Sequence, residues 1–240
     1  MIFVFRNFYS KAYWEEESDQ CSSRTMEGRK DVIDLVLSWS LEEIFDENLY
    51  KNQVEKIPQS FESVDQYLGS YVFPLLEETR AELASAMETV YKAPFAEVAS
   101  LTELIHGKHL LSVQVDCWRN RITLRGREPY RTLPGDILLL SDLKPESYSD
   151  LGRVGWKFVL AYVTNISEDE NGDNYSSTGF KVKAATSIDV GEMQSKSFYV
   201  VFLKNMATNR RIWNALRMRK NLRIIEKVLC KNELVSYLLI

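Results

Sequence analysis

The sequence has few of the residue types from which disulfides and metal sites are built. It contains three cysteines and two histidines in 240 residues. Cys21, Cys117 and Cys230 lie far apart in the chain, so their spacing is not that of a disulfide framework or of paired zinc ligands. His106 and His109 stand between strand-like segments without a third ligand nearby, which indicates an exposed turn. We therefore expect a reducing, intracellular environment and no metal or other cofactor.

Long apolar runs are absent as well. No stretch approaches the ~20 apolar residues that cross a bilayer. The apolar run at residues 1–5 is too short for the core of a signal peptide, and three glutamates follow at positions 15–17. The composition, 45% hydrophobic and 12% aromatic, nevertheless supplies enough apolar material for a core. These features predict a globular protein of one or two domains without membrane contact.

The glycines do not form a nucleotide-binding motif. The ten glycines give neither G-x-x-x-x-G-K-[ST] nor G-x-G-x-x-G, the spacings that let backbone amides surround phosphates. The acidic segment 168–173 lacks the flanking ligands of a calcium loop, and its Asn171-Gly172 pair indicates a hairpin turn. No nucleophile or acid–base pair stands out either. We therefore predict that this chain is not an enzyme and has no catalytic residues.

The charge is modest in total but unevenly distributed along the chain. The net charge is −4, yet residues 27–103 hold 16 acidic against 6 basic residues. Residues 204–231 hold nine basic residues and one acidic residue. Two interpretations follow from this polarity. The basic segment forms a surface that binds phosphates, or its side chains pair with the acidic half of the same chain.

Apolar residues recur at three- and four-residue steps over residues 31–92, which predicts helices. Ser40 and Glu43 have the spacing of a capping box, as do Ser63 and Gln66. The second box opens a pattern that predicts one helix over residues 63–92, about 45 Å long. Pro74 is expected to bend this helix, because proline has no N–H to donate. The helical period returns after residue 208.

After Pro94 the apolar period changes to two, which predicts strands. Six are indicated, at residues 95–99, 111–118, 137–140, 158–166, 180–184 and 197–203. Cys117 shares the parity of Val113 and Val115, so we expect a buried thiol. The turn chemistry between the strands predicts antiparallel pairing and a closed or nearly closed barrel.

The order of these elements predicts an α+β fold with four segments. We expect a poorly ordered tail at residues 1–29 and a helical stalk at residues 30–92. An antiparallel β-barrel of about six strands follows at residues 93–205. Basic helices complete the chain at residues 206–240.

Two basic stretches are candidates for nucleic-acid contact. The first holds five arginines between strand patterns and is bordered by Trp118 and Tyr130. Arginine with interleaved aromatics suits a single strand, since cations bind phosphates and rings stack on bases. An alternative is that these arginines only form a charged surface. The predicted nucleic-acid-binding residues are Arg119, Arg121, Arg125, Arg127, Arg131, Lys204, Arg210 and Arg211.

Several segments resemble the N-terminal region of plant senataxin-type helicases, which are superfamily 1 proteins related to the up-frameshift helicases. The similar segments lie at residues 34–42 (DLVLSWSLE), 56–58 (KIP), 71–83 (YVFPLLEETRAEL), 93–98 (APFAEV), 118–121 (WRNR), 134–137 (PGDI) and 209–216 (NRRIWNAL). The final residues, 232–240, depart from the family pattern. The ATP-binding loop, metal-binding motif and arginine finger of that family have no counterpart in this sequence, so no catalytic residue is carried over.

The resemblance implies a helical stalk carrying a β-barrel beside the nucleic-acid channel of a helicase. It further implies a nuclear or cytoplasmic protein, with the nucleus favoured, that acts with RecA-like motor domains absent from this chain. We expect non-specific contact with single-stranded RNA or DNA. The alternative is a protein-interaction module that docks on motor domains or other partners without binding nucleic acid.

Overall fold

The computed structural model describes residues 31–105, 107–120, 130–153, 157–168, 175–188, 197–218 and 222–229. All of them belong to one compact unit, Asp31–Ile240. Several predictions lie outside the described residues: the tail at residues 1–29, His106, Arg121, Arg125, Arg127, the turn at Asn171-Gly172 and the helical prediction for residues 230–240.

The fold is α+β, as the sequence predicts. Helices come before and after six strands in the chain, and the strands form an antiparallel sheet. The helices are α1 (Val32–Leu37), α2 (Leu41–Phe45), α3 (Val64–Ser70), α4 (Val72–Glu88), α5 (Ala207–Arg217) and α6 (Leu222–Leu229). Short 3-10 turns lie at Lys51–Gln53, Val90–Lys92 and Tyr148–Gly152.

The capping box at the start of α2 is confirmed. The Glu43 backbone N–H donates to the Ser40 hydroxyl at 3.2 Å, and the Ser40 N–H donates to the Glu43 carboxylate at 2.8 Å. The second box is only half formed. Ser63 accepts from the Gln66 N–H at 3.1 Å, but the Gln66 side chain accepts from the Glu62 N–H instead.

The single helix predicted for residues 63–92 is wrong, because the chain breaks at Tyr71 into α3 and α4. Pro74 explains the break. A continuous helix would place its ring against the Ser70 carbonyl and leave that carbonyl without a donor. Restarting at Val72 puts Pro74 in the first turn of α4, where a backbone N–H has no intrahelical acceptor.

The strands close into a barrel. They are β1 (Phe95–Ile105), β2 (Leu110–Val115), β3 (Asp136–Ser141), β4 (Phe158–Glu168), β5 (Tyr175–Ala184) and β6 (Tyr199–Asn205). Their order around the barrel is β1-β2-β5-β4-β3-β6, with all neighbours antiparallel. β1 is longer than the predicted 95–99, because its pairing with β2 extends as far as Ile105.

The prediction of a buried Cys117 is wrong, since its side chain is exposed. Val98 pairs with Val115, but the next bridge joins Phe95 to Arg119, so the chain gains one residue relative to β1. An extra residue reverses which side chains face inward. Trp118 therefore takes the interior position.

The barrel interior is filled by aliphatic residues and by Trp118 and Phe180. The outward side chains of β3, β4 and β6 are buried as well, for example Ile137, Leu160 and Val201. Helix α4 contacts β6 and α1 contacts β4, while α5 contacts both helices. These helices cover one wall of the barrel, which explains why all six residues of β3 are buried.

Candidate nucleic-acid interface

The arginine-rich segment begins and ends at one place on the barrel. The rings of Trp118 and Tyr130, which border it, meet edge to face with centroids 4.5 Å apart. The described residues that flank positions 121–129 therefore lie close together, and we call segment 119–131 the arginine loop. It contains five arginines and one acid, Glu128.

The two border rings are structural and are not exposed for stacking on bases. Trp118 is 7% exposed and belongs to the barrel core, where it also stacks on Phe180 at 6.4 Å. Tyr130 packs on Phe202 with centroids 4.5 Å apart. The prediction that these aromatics stack on bases is therefore corrected. Their role is to close the arginine loop.

One buried carboxylate anchors the C-terminal end of the arginine loop. Asp136, 1% exposed, accepts hydrogen bonds from the Tyr130 hydroxyl, from the Leu133 N–H at 2.7 Å and from the Asn205 amide at 2.7 Å. Burial raises the pKa of the Asp136 carboxyl, and these three hydrogen bonds offset part of that rise. Burial and the Asp136 charge together raise the pKa of Tyr130. The loop end is thus fixed to both β3 and β6.

Gly135 allows this anchor to approach the start of α5. Its φ is +100°, and a Cβ placed there would lie 3.1 Å from the Ala207 Cβ and 3.2 Å from the Asn205 amide nitrogen. Its N–H donates to the Val163 carbonyl at 2.9 Å, and its carbonyl accepts from the Met206 N–H at 2.7 Å. The predicted turn at Pro134-Gly135-Asp136 is confirmed, with a tertiary role that spacing alone did not indicate.

Arg119 lies at the N-terminal end of the loop beside a second cation. Its guanidinium forms an ion pair with Asp116 and lies 5.9 Å from the centroid of the Phe95 ring. The Lys144 ammonium lies 4.1 Å from the centroid of the same ring. Nothing in the sequence indicated that Lys144 lies beside Phe95 and Arg119, because it is far from both residues along the chain. Arg131, at the other end of the loop, is exposed.

The basic residues predicted in the C-terminal segment to contact nucleic acid divide into two groups. Lys204 forms an ion pair with Glu82. Arg210 pairs with Asp31, with nitrogen–oxygen distances of 2.6 and 2.9 Å, and also donates to the Tyr162 hydroxyl at 3.2 Å. Arg211 is exposed on α5. Lys204 and Arg210 thus pair with the acidic half of the chain, which is the second interpretation of the charge pattern, whereas Arg211 faces solvent.

The described residues offer neither a cluster of metal ligands nor a helix that could span a membrane. They contain no group of three or more histidine, cysteine, aspartate or glutamate residues able to hold a metal ion. Within the same residues, no helix combines the length and apolar character needed to cross a membrane.

The fold defines a class of protein in which helices cover one wall of a closed antiparallel barrel. The chain belongs to the family described as Domain of unknown function (DUF6469), whose model matches residues 28–236. No curated protein matches the sequence.

Proposed function

We propose that this chain is a non-catalytic accessory module of an RNA or DNA helicase and contacts single-stranded nucleic acid through the arginine loop. Two lines of argument support the proposal. Apart from residues 56–58, the segments that resemble senataxin-type helicases overlap the helices, the barrel strands or the border of the arginine loop. The order of helices, barrel and helices is the layout that this resemblance implies.

The observation that carries the proposal is the contact between Trp118 and Tyr130, which brings the two ends of the arginine loop together. Segment 119–131 between these ends carries five arginines and one acid in its sequence. A concentrated positive charge binds polynucleotides by releasing their condensed counterions, without reading the base sequence. The Asp136 anchor fixes the described residues Tyr130 and Leu133 and so lowers the entropy lost there on binding.

The burial of Trp118 and the partial burial of Tyr130 determine the expected mode of contact. Because Trp118 and Tyr130 lie in or against the barrel core, we expect binding to depend on phosphates and not on base stacking. Affinity should then be similar for different base sequences and should fall steeply as salt is added.

The test is a salt titration of binding to a labelled oligo(dT) and a labelled oligo(rU), followed by fluorescence anisotropy. In the triple variant Arg121→Gln, Arg125→Gln, Arg127→Gln, the slope of log K against log salt should fall by about 2, as expected for three lost phosphate contacts on a single strand. Comparison of the two oligonucleotides distinguishes DNA from RNA preference.

The matched control is the triple variant Lys56→Gln, Arg223→Gln, Lys227→Gln, which removes the same charge from exposed positions outside the predicted nucleic-acid-binding residues. It should leave the slope nearly unchanged. Equal losses in both triple variants would show that net charge alone governs binding and would contradict the assignment to the loop. ATP turnover by the purified chain would contradict the non-catalytic part of the proposal.

The alternative function is a protein-interaction module, and a separate observation favours it. Helix α6 exposes aliphatic side chains that nucleic acid would not bind. Protein binding by α6 and nucleic-acid contact through the arginine loop can coexist, because they involve different residues.

A further inference from the structure

Helix α6 leaves part of its apolar surface uncovered. It contacts α3, and Ile225 is its half-buried residue. Ile224 is 64% exposed and Val228 is 72% exposed. Residues four apart lie on the same side of a helix, so Ile224 and Val228 form one row beside Ile225. The apolar arc of α6 is therefore wider than its contact with the rest of the chain.

Basic side chains border this exposed row. Arg223 and Lys227 are exposed, are four residues apart, and form the neighbouring row on the side away from Ile225. In residues 204–231, nine basic residues accompany a single acid, Glu226. Lys204 and Arg210 are paired with acids of the helical region, whereas Arg223 and Lys227 face solvent. A ligand on this surface meets aliphatic groups next to positive charge.

We propose that Arg223, Ile224, Lys227 and Val228, which we call the α6 flank, dock an acidic amphipathic segment of a partner protein. An amphipathic helix with an acidic border would bury Ile224 and Val228 and place carboxylates beside Arg223 and Lys227. The charge complementarity sets the register and the choice of partner. This inference is independent of the arginine loop, so each can fail without the other.

Other occupants fit the α6 flank less well. A second copy docked through the same surface would bring Arg223 and Lys227 close to their own counterparts, and like charges repel. Nucleic acid would satisfy the two cations but would leave Ile224 and Val228 without stacking or hydrogen-bonding partners. A membrane surface binds through a larger buried apolar area than these two side chains offer.

The test uses two labelled synthetic peptides of about 16 residues, long enough to form a helix. Both carry leucine on one face; the first has glutamate at the remaining positions and the second has lysine. Fluorescence anisotropy with the full chain should show saturable binding of the glutamate peptide and none of the lysine peptide. The variant Ile224→Ser, Val228→Ser should weaken the glutamate peptide about tenfold.

Two further variants separate docking from other effects. Arg223→Gln, Lys227→Gln keeps the apolar row and should weaken binding severalfold, with the remaining affinity insensitive to salt. Leu104→Ser, Ile105→Ser removes two exposed aliphatic side chains at the end of β1 and should change nothing. All the substituted positions are exposed, so thermal unfolding should match that of the unmodified chain.

Several results would overturn the inference. These are equal binding of the two peptides, unchanged binding in the Ile224→Ser, Val228→Ser variant, or equal loss in the Leu104→Ser, Ile105→Ser variant. Loss of oligonucleotide binding in Arg223→Gln, Lys227→Gln would assign the α6 flank to nucleic acid. Binding to phosphatidylserine vesicles, or self-association in sedimentation, that depends on Ile224 and Val228 would assign it to a membrane or to a second copy.

Discussion

The Asn205 side-chain amide donates a 2.7 Å hydrogen bond to the Asp136 carboxylate, which joins the last residue of β6 to the first residue of β3. The same Asn205 side chain accepts from the Ala207 N–H at 3.0 Å, at the start of α5. Asp136 also holds Tyr130 and Leu133 at the end of the arginine loop. Loop, barrel and C-terminal helix therefore share one buried hydrogen-bonded group.

Asp136→Asn tests the contribution of this carboxylate and its dependence on pH. The amide is close in shape to the carboxyl group but does not titrate, so the variant should lose the part of the free energy of unfolding that depends on protonation of Asp136. Because burial raises the folded pKa of Asp136 above its unfolded value, its stabilisation is complete below the unfolded pKa. It decreases as the pH rises through the folded pKa.

The difference between the two proteins in urea unfolding should therefore be larger near pH 4 than near pH 7. Glu88→Gln, at an exposed position at the end of α4, is the control for loss of one negative charge. A difference that grows with pH would contradict the raised pKa.

Gly135→Ala should destabilise the junction of β3, β6 and α5. The new Cβ would meet Ala207 and Asn205 at 3.1–3.2 Å with φ at +100°, and the expected cost is about 2 kcal/mol or more. Gly107→Ala isolates the effect of a positive φ, because φ is +73° there and nothing lies within 4 Å of the Cβ. Gly152→Ala has neither problem and should be nearly neutral. Equal thermal shifts in the three variants would show that the close approach at Gly135 is unimportant.

Arg80 is a buried cation of the helical region. The planar arrangement of its guanidinium N–H groups is expected to contribute more to stability than its charge. Arg80 donates to the Ile44 carbonyl at 2.7 Å and forms two hydrogen bonds with Glu77. Arg80→Lys keeps the charge but cannot make all three bonds, and should cost about 2–3 kcal/mol in urea unfolding. Arg153→Lys, at a side chain that is 69% exposed although its partner Asp150 is buried, should cost less than about 0.5 kcal/mol. Similar costs at the two sites would refute this explanation.

The pair between Asp31 and Arg210 should contribute a small, salt-sensitive coupling. Asp31→Asn keeps an oxygen able to accept from the Ile33 N–H, so it removes the charge while preserving the cap of α1. A double-mutant cycle with Arg210→Gln should give a coupling of about 0.5–1 kcal/mol, because both side chains are partly exposed. Added salt should reduce it. A zero coupling at low salt would mean that the pair does not hold α5 to α1.

Local patterns predicted the type of most elements and the closed form of the sheet. The alternation over residues 158–166 corresponds to β4, and Ser40 with Glu43 forms the predicted capping box. These features depend on neighbours in the chain, so they can be read from spacing. Spacing could not predict the reversal at Cys117, because one inserted residue in a strand pairing is set by the partner strand.

The candidate interface was predicted in part. The arginines and their border residues Trp118 and Tyr130 were identified from composition, but the border rings were assigned to nucleic acid and belong to the core or its edge. Lys144 was missed because it reaches Phe95 only through the fold. Lys204 and Arg210 could not be separated from Arg211 by sequence, since all three lie in one basic segment and only their partners differ.

The sequence by itself determined the α+β order and the clustering of charge along the chain, because the first follows from the conformational preferences of adjacent residues and the second from composition. Tertiary structure alone decided the strand order β1-β2-β5-β4-β3-β6, the neutralisation of Lys204 and Arg210, and the convergence of Tyr130, Leu133 and Asn205 on Asp136. These features join residues far apart in the chain. Their energies depend on burial and on distances that exist only once the barrel has closed.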